Sequence, residues 1–329
     1  MDRVCITGGA GFIGSTLADR LRSNGAEVVI VDDFRTGRRE FVAQLSEDPG
    51  VTLHEGDVLD ERLLRRAFKG CDWVFHLQAN ADVRHGLGRP RQDLEQNTIA
   101  TATVLEAMRA EDVTRIAFSS TGSVYGEPEV FPTPEDAPFP MQTSLYGASK
   151  LAGEGMIGAY AHGFGFTGVV LRFVSILGER YTHGHVYDFY CSLKRDPHRL
   201  RVLGDGRQEK SYLYVDDCIN GILTAAQAHE SRPGEVGVYN LGRDETVVVD
   251  DSVALISEHM GVSPEIEYAG GRRGWAGDSP LIHLDCSSIS ALGWAPTLTI
   301  RESIVRTLEW FDANPYAWES AIASGAGAA

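Results

Sequence analysis

A glycine-rich turn near the start of the chain constrains the fold more than any other feature. Residues 4–14 read VCITGGAGFIG, a short apolar run followed by glycines at three-residue spacing, Gly8, Gly11 and Gly14. Apolar residues then recur every four positions, at Ile13, Leu17 and Leu21, which is typical of one helix face. A helix that begins after such a turn presents free N–H groups and the positive end of its dipole to an anion. The order strand, glycine turn, helix therefore predicts a dinucleotide-binding α/β fold.

Acidic residues after the second predicted strand indicate which dinucleotide binds. The strand at 27–31, EVVIV, ends in Asp32 and Asp33. A carboxylate there accepts hydrogen bonds from the adenosine ribose and repels a 2′-phosphate, which predicts NAD rather than NADP. Arg35, Arg38 and Arg39 keep NADP open as an alternative, although we interpret them as residues of a solvated loop.

A tyrosine and a lysine four residues apart predict acid–base chemistry. Tyr146 and Lys150 would lie one turn apart on one helix face. An ammonium close to the phenol favours the phenolate, so we expect the pKa of Tyr146 to fall toward neutrality. Such a phenol can take a proton from an alcohol, and a hydroxyl from the cluster at 119–123, SSTGS, can hold the same oxygen. The spacing alone is common in helices without a catalytic role, so this interpretation depends on the glycine turn.

Charge and cysteine content exclude several classes of function. The formal net charge is −16, from 46 acidic and 30 basic side chains, which argues against a general nucleic-acid or membrane-surface role. The five cysteines are scattered and form no Cys-x-x-Cys motif, which favours a reducing compartment. We expect a cytoplasmic protein without a signal peptide or a membrane span, because the first strand follows Met1 closely and no apolar run is long enough.

Strand-like and helix-like segments alternate along the chain. Strands are predicted at 27–31, 51–54, 73–77, 116–120, 167–172 and 238–241, and helices at 94–109 and 146–162. This alternation predicts an α/β fold with a doubly wound parallel (Rossmann) sheet, whose ligands bind at the carboxyl ends of the strands. We expect an NAD-binding Rossmann domain at 1–172, with 211–222 and 236–243 returning to the main sheet. A smaller C-terminal substrate-binding α/β region would occupy 173–329.

A series of ordered motifs carries a resemblance to a known family. They read ITGGAGFIG, VDDFRTG, GDVLD, FHLQANADVR, SSTGSVYGE, YGASK, LRFVSILG, VLGDGRQEKSYLYVDD and GDSPLIHLD, and the resemblance extends from Val4 to about Trp310. Together they resemble the extended short-chain dehydrogenase/reductase family, and within it the nucleotide-sugar 4-epimerases that act on UDP-glucose or UDP-glucuronate. The resemblance implies a tightly held NAD, a nucleotide diphosphate sugar as substrate, and a triad of tyrosine, lysine and hydroxyl.

The same resemblance implies the catalytic and cofactor-binding residues. Tyr146 would be the base, Lys150 its electrostatic partner and ribose ligand, Thr121 the catalytic hydroxyl, and Ser123 a second hydroxyl facing the sugar. The residues implied around NAD are Gly8, Gly11, Phe12, Ile13, Gly14, Asp32, Asp33, Asp57, Val58, Leu77, Gln78, Ala79, Asn97, Tyr146 and Lys150. Asp57 also fits a helix N-cap, and Gln78 replaces a usual alanine with no effect that we can assign.

The later motifs imply the residues of the substrate side. They are Arg84, Ser175, Arg180, Thr182, His185, Lys210, Arg273 and Asp278. Lys210 stands where the family usually has an arginine that reaches the substrate. Asp278, with Arg273 or Arg272, matches a pair that binds uracil or thymine nucleotides. His183 and His185 have no third ligand beside them in the sequence, so we expect no metal site.

Departures from the family pattern select the branch. Dehydratases and uronate decarboxylases carry an acid after the catalytic threonine, where this chain has Gly122 and Ser123. Their absence favours a 4-epimerase that acts through a transient 4-keto sugar. Ser175 replaces the asparagine of hexose epimerases and, with Arg84 and Arg180, leaves room for a C6 carboxylate. The alternatives are a UDP-glucuronate decarboxylase, an NDP-4-ketosugar reductase, and a non-catalytic nucleotide-sensing protein on the same fold.

The resemblance also implies a homodimer. In relatives, helices that match 94–109 and 146–162 pair across a two-fold axis into a four-helix bundle. We expect the face buried by this pairing to include the apolar residues Val104, Leu105, Met108, Met156 and Ile157.

Overall fold

The computed structural model describes residues 1–80, 88–275 and 277–323. Its strands are β1 (Arg3–Thr7), β2 (Glu27–Asp32), β3 (Val51–Glu55), β4 (Trp73–His76), β5 (Arg115–Thr121), β6 (Thr167–Phe173), β7 (Ser175–Leu177), β8 (Arg199–Val202), β9 (Glu209–Lys210), β10 (Tyr212–Tyr214), β11 (Val236–Leu241), β12 (Val247–Val248), β13 (Glu265–Tyr268) and β14 (Leu281–Ile282). Its helices are α1 (Phe12–Ser23), α2 (Arg39–Ser46), α3 (Glu61–Phe68), α4 (Pro90–Asp93), α5 (Ala100–Ala110), α6 (Leu145–Phe164), α7 (His185–Arg195), α8 (Val215–Ala228), α9 (Val249–Met260), α10 (Ser287–Ser290), α11 (Ile300–Ala313) and α12 (Glu319–Ala323). A π-helical stretch, Leu94–Ile99, joins α4 to α5.

Within the described ranges, seven strands form one central sheet in the order β3-β2-β1-β4-β5-β6-β11. All of its neighbouring pairs are parallel. The strand order reverses between β1 and β4, which is the point where open α/β sheets bind ligands. The predicted doubly wound parallel sheet is confirmed. The remaining strands form small sheets of two or three strands beyond its carboxyl edge, among them β13 beside β8 and β14 beside β9.

Two hydrophobic layers hold the helices on opposite faces of this sheet. Successive strand residues point to opposite faces, and neighbours in β1 divide accordingly: Ile6 packs with α1, whereas Cys5 packs with α3 and α5. Both residues are fully buried. Of the helices that flank the sheet in the described part of the chain, none is long and apolar enough to cross a membrane.

Two sequence predictions about secondary structure need correction. The predicted helix at 94–109 begins as a π-helix and becomes α-helical at Ala100. The segment at 211–222 does not return to the main sheet: β10 pairs with β7 in a two-stranded sheet of their own, and α8 follows. The reason is that β11 already occupies the position beside β6, so β10 has no place there. The predicted return at 236–243 corresponds to β11.

The apolar residues predicted to form a dimer face are mostly buried within one chain. Val104, Leu105, Met108 and Ile157 are 0% exposed and pack in the layer beneath α3, α5 and α6, with Met156 partly buried against them. The prediction that Val104, Leu105, Met108 and Ile157 face a partner is therefore wrong, whereas for Met156 it stays a prediction. The helix stripe that the sequence displays is the stripe that faces the sheet.

Candidate active site

The glycine turn lies between β1 and α1 and allows an unusually close approach of the backbone. Gly8 has a φ of +72°, and a Cβ added there would lie 2.8 Å from backbone atoms of Gln78. A Cβ at Gly14 would lie 2.1 Å from the Gly8 carbonyl oxygen, so glycine is required for α1 to pack on the turn. Gly11 is the N-cap of α1 and has no side chain with which to cap it. The first N–H groups of the helix are thus available to an anion.

Asp32 and Asp33 have different roles at the end of β2. Asp32 is buried and accepts two backbone N–H groups of the adjoining turns, at 2.8 and 2.9 Å. Burial raises the pKa of Asp32, and these two hydrogen bonds oppose the rise. Asp33 is ion-paired with Arg35 (2.9 Å), which also contacts Asp57 (3.1 Å). Asp32 therefore stabilises the glycine turn. Asp33 and Asp57 both form ion pairs with Arg35.

The other two arginines of this loop also have partners. Arg38 donates to the carbonyl oxygen of Tyr316 (3.0 Å), and Arg39 forms an ion pair with Glu55 (2.7 Å). The loop therefore offers no ready guanidinium for a 2′-phosphate, which agrees with the prediction of NAD.

Asp57 lies just after β3 and lines the cleft together with Val58. Its carboxylate accepts the backbone N–H of Leu59 (2.9 Å). The N-cap of α3 is instead Asp60, which accepts two backbone N–H groups at 3.0 and 3.1 Å. The alternative in which Asp57 caps the helix is therefore wrong.

The π-helical stretch buries two adjacent side chains. Gln96 and Asn97 are 7% and 1% exposed, and a π-turn is a common device at functional sites. Asn97 accepts the backbone N–H of Asn80 (2.8 Å) and donates to Ser149 Oγ (2.9 Å). Asn97 thus connects the cofactor wall after β4 to α6 from behind the cleft. The sequence motifs identified Asn97 but not Gln96, because the π-turn that buries both has no local sequence signature.

The hydroxyl cluster and the tyrosine–lysine pair meet at the centre of the cleft. Thr121 ends β5, and Tyr146 and Lys150 lie one turn apart on α6. Ser144 caps the N-terminus of α6 at 3.0 Å and so fixes where the helix begins. Against the effect of burial, the Thr121 hydroxyl lowers the pKa of the Tyr146 phenol, and its Oγ1 lies 3.2 Å from Ser123 Oγ.

The protonation states of this pair differ from the sequence prediction. The Lys150 ammonium donates to the carbonyl oxygen of Ser119 (2.7 Å) and lies 4.6 Å from the centre of the Phe118 ring. Burial lowers the pKa of Lys150 to about 7. Burial also raises the pKa of Tyr146 to about 12, with Asp93 adding to the rise. The predicted fall of the phenol pKa is therefore wrong for the protein alone, because burial dominates and the ammonium is directed at a carbonyl.

A buried ion pair that sequence analysis missed lies directly behind the hydroxyl cluster. Glu154 and Arg172 make two contacts, at 2.7 and 3.1 Å, and their side chains are 8% and 5% exposed. Ser120 donates to Glu154. The Glu154 carboxylate raises the pKa of Lys150 and so opposes the effect of burial. Because Glu154 follows Lys150 by four residues, the helix spacing could have identified it.

Three residues predicted to lie on the substrate side of the cleft carry neutral hydrogen-bonding groups. Ser175, Thr182 and His185 line it. His185 Nδ1 is hydrogen-bonded to the hydroxyl of Tyr212 (2.8 Å). Burial, together with the charge of Lys210, lowers the pKa of His185 to about 3, so its ring is neutral. Nowhere in residues 1–80, 88–275 and 277–323 do three His, Cys, Asp or Glu side chains form a group that could hold a metal ion.

A buried ion pair closes the far end of the cleft. Lys210 and Asp278 are 2.7 Å apart, and Lys210 also donates to the carbonyl oxygen of Ser279. Burial lowers the pKa of Lys210, and Asp278 opposes this shift. Asp278 also accepts the backbone N–H of Gly274 (2.9 Å). Arg273 pairs with Glu127 and is not among the described residues that line the cleft.

Most of the residues predicted from sequence line this one cleft, whose volume is about 1080 Å³. They are Gly8, Gly11, Phe12, Ile13, Gly14, Asp32, Asp33, Asp57, Val58, Leu77, Gln78, Ala79, Thr121, Ser123, Tyr146, Lys150, Ser175, Thr182, His185, Lys210 and Asp278. Arg180 is not among the lining residues that the structure describes, and its guanidinium pairs with Asp19 (2.7 Å). Arg84 lies outside the described residues.

These features define a class of protein: a Rossmann-type dinucleotide-binding enzyme with a tyrosine–lysine–hydroxyl cluster at the carboxyl edge of its sheet. The glycine turn is so closely packed that a Cβ at Gly8 or Gly14 would meet backbone atoms. This turn and the carboxylates after β2 are compatible with bound NAD. The model of the NAD dependent epimerase/dehydratase family matches residues 4–242. The chain belongs to this family, and NAD is its cofactor.

Individual relatives match over nearly their whole length. The UDP-glucose 4-epimerase of Corynebacterium glutamicum is 33% identical over 321 residues, which cover 92% of this chain and 93% of that protein. A crystal structure of UDP-galactose 4-epimerase has a TM-score of 0.85 at 38% identity and covers 95% of this chain and 99% of its own. The UDP-glucuronic acid 4-epimerase from Bacillus cereus, in complex with UDP-glucuronic acid and NAD, has a TM-score of 0.86 at 26% identity and covers 94% and 99%.

Proposed function

We propose that the protein is a 4-epimerase of a UDP-hexose or UDP-hexuronate that acts through a transient 4-keto sugar. The observation that carries this proposal is the cluster of Thr121, Tyr146 and Lys150 in the cleft, with no acid in the two positions after Thr121. One of these positions is Ser123. At the other, Gly122, a Cβ would lie 3.4 Å from Leu284 and from the carbonyl oxygen of Phe173, which is ordinary van der Waals contact.

In this mechanism the protein moves a proton at the C4 hydroxyl of the sugar. Bound NAD supplies the hydride acceptor and, when oxidised, a positive charge beside the cluster. Tyr146 takes the hydroxyl proton, and Thr121 holds the same oxygen through its own hydroxyl. Lys150, which donates to the carbonyl oxygen of Ser119, is proposed as a ligand of the cofactor ribose. The phenol then returns the proton after the keto sugar has turned its other face, and such proton transfer typically contributes ~10²- to 10⁴-fold in rate.

Neutral donors support binding of a hexose or of its uronate. Ser175, Thr182 and His185 can donate or accept hydrogen bonds along the sugar side. Since Arg180 is engaged with Asp19, a C6 carboxylate would be held by neutral donors such as Ser175 and Thr182. At the far end, we assign the nucleotide to the surface around Asp278 and Gly274, because Asp278 matches the family pair that binds uracil or thymine nucleotides.

We also propose that the enzyme is a homodimer, but through a different surface from the one that sequence predicted. The large apolar side chains left exposed on the two helical segments are Leu94 (50%), Ile99 (45%), Leu145 (40%) and Phe164 (55%). These side chains could pack against a second copy. Light scattering on the wild type and on a Leu94→Glu, Ile99→Glu double variant measures this; a variant as dimeric as the wild type contradicts the assignment of the surface.

The experiment that tests the function is direct. Purified protein is incubated with UDP-glucose, UDP-galactose or UDP-glucuronate, and products are identified by NMR. We expect inversion at C4 of at least one substrate without loss of carbon, at a rate that falls by ~10²- to 10⁴-fold in Tyr146→Phe. Release of CO₂ from C6-labelled UDP-glucuronate at the rate of turnover would contradict the epimerase proposal and indicate a decarboxylase. Net reduction of a 4-keto sugar with release of NAD would indicate a ketoreductase. Binding without turnover would indicate a nucleotide-sensing protein.

A further inference from the structure

A chain of hydrogen bonds crosses the cofactor side of the cleft. The Gln78 amide donates to Gln96 Oε1 (2.7 Å), and the Gln96 amide donates to Asp57 Oδ2 (3.3 Å). The same carboxylate oxygen accepts from Arg35 (3.1 Å), which is also paired with Asp33 (2.9 Å). All five residues line the cleft. The chain therefore joins the wall after β4 to the loops after β3 and β2.

The carboxylate at one end sets the direction of every amide in this chain. An ionised Asp57 can only accept hydrogen bonds, so Gln96 must turn its NH₂ group toward Asp57. The oxygen of Gln96 then faces Gln78, which must in turn present its own NH₂ group. This leaves Gln78 Oε1, which is buried and has no donor among the residues that the structure describes. A buried acceptor without a hydrogen-bond donor is unfavourable. A ligand that donates a hydrogen bond to this oxygen removes that cost and is bound more tightly.

The position of Gln78 restricts which ligand group can be that donor. Its backbone supports the glycine turn, because a Cβ on Gly8 would lie 2.8 Å from Gln78 Cα. A dinucleotide on this turn passes its pyrophosphate and adenosine ribose over Gln78. Phosphate oxygens only accept hydrogen bonds, so they cannot satisfy Oε1, whereas ribose hydroxyls donate. The link to Asp57 and Arg35 places the chain on the adenosine half of the site.

We propose that Gln78 retains NAD by accepting a hydrogen bond from an adenosine ribose hydroxyl through Oε1. Gln96 is a positioning residue that holds the amide in the required direction. Sequence analysis placed Gln78 beside the cofactor but gave its side chain no effect, since relatives have alanine there. The proposal concerns NAD, and it stands whichever sugar the enzyme acts on.

The test is the rate at which bound NAD exchanges. Holoenzyme loaded with labelled NAD is mixed with excess unlabelled NAD, and release is followed for wild type, Gln78→Ala, Gln96→Leu and the double variant. We expect release from Gln78→Ala to be about 3- to 10-fold faster, the effect of one neutral hydrogen bond. Gln96→Leu should accelerate release by no more than Gln78→Ala, and the double variant should match Gln78→Ala. The exposed Gln227→Ala is the matched control, and thermal unfolding confirms that each variant is folded.

Analogues of NAD identify the hydroxyl. With wild type, NAD lacking an adenosine ribose hydroxyl should leave about 3- to 10-fold faster than NAD, and this difference should disappear in Gln78→Ala. Unchanged release from Gln78→Ala would overturn the proposal. So would an adenosine deoxy effect that persists in Gln78→Ala, or a deoxy effect that depends on Gln78 only at the nicotinamide ribose.

Discussion

Replacing Lys150 with methionine should alter stability in a way that depends on pH. Lys150 is 1% exposed, and burial lowers its pKa from 10.5 to about 7. Between these values the unfolded chain binds a proton that the folded chain has released, so the stability of the wild type rises with pH. Below pH 7 the ammonium is present in both states, and the full cost of burying it is felt. Methionine has a side chain of similar size without that charge.

The size of the effect follows from the shift in pKa. A change from 10.5 to about 7 corresponds to about 5 kcal/mol between the low-pH and high-pH limits, at 1.36 kcal/mol per unit. Integrated from pH 6 to pH 9, the wild type should gain about 2–3 kcal/mol relative to Lys150→Met. The variant also loses the hydrogen bond to Ser119 and the contact with Phe118. These losses lower the free energy of unfolding of the variant by about 1–2 kcal/mol at every pH. They do not change how the difference between the two proteins varies with pH.

The assay is equilibrium unfolding in urea at pH 6, 7, 8 and 9. Both proteins are first freed of NAD, because Lys150 is also a proposed ligand of the cofactor. Lys69→Met, on the exposed end of α3, is the matched control, and we expect its difference from the wild type to vary little over this range. A Lys150→Met difference that stays constant within about 0.5 kcal/mol from pH 6 to pH 9 would refute the reasoning.

Two further variants test the catalytic cluster and its support. Tyr146→Phe should lower kcat by ~10²- to 10⁴-fold while the enzyme still carries NAD; a fall below tenfold, with NAD content unchanged, would remove Tyr146 as the base. Glu154→Gln should lower the free energy of unfolding by about 3–5 kcal/mol, because Arg172 is left buried without its counter-charge. As a control, Glu258→Gln breaks an exposed ion pair with Arg301 (3.4 Å) and should change the free energy of unfolding by less than about 1 kcal/mol. Equal effects of the two variants in urea unfolding would contradict the role of burial.

The parts of the fold that sequence predicted well are those in which local chemistry and tertiary structure agree. The run at 4–14 specifies β1, the turn and α1, because glycine at Gly14 is the residue type that the close approach to Gly8 requires. Helix α6 was predicted within two residues at each end, and its limits are set by the cap at Ser144 and by Gly165, whose φ is +71°.

The parts that sequence predicted poorly depend on which partner a side chain finds across the fold. Arg180 and Arg273 have the right chemistry to bind an anionic substrate. In the fold, however, Arg180 forms an ion pair with Asp19 and Arg273 forms one with Glu127. Apolar residues such as Val104 display a helix face, but the pattern does not distinguish a face toward the sheet from one toward a partner. The π-turn that buries Gln96 beside Asn97 has no local sequence signature.

Protonation illustrates the same limit at the centre of the site. The motif identifies Tyr146 and Lys150, and a lowered phenol pKa would follow if the ammonium lay against the phenol oxygen. The fold directs it to the Ser119 carbonyl and leaves a pKa near 7 for the amine and near 12 for the phenol. The protein alone therefore holds Tyr146 as an acid at neutral pH. For Tyr146 to act as a base, positive charge must enter the cleft, and NAD in its oxidised form would supply that charge. Under the proposed mechanism, Tyr146 would be a base for the oxidation and an acid for the reduction, as a reversible epimerisation requires.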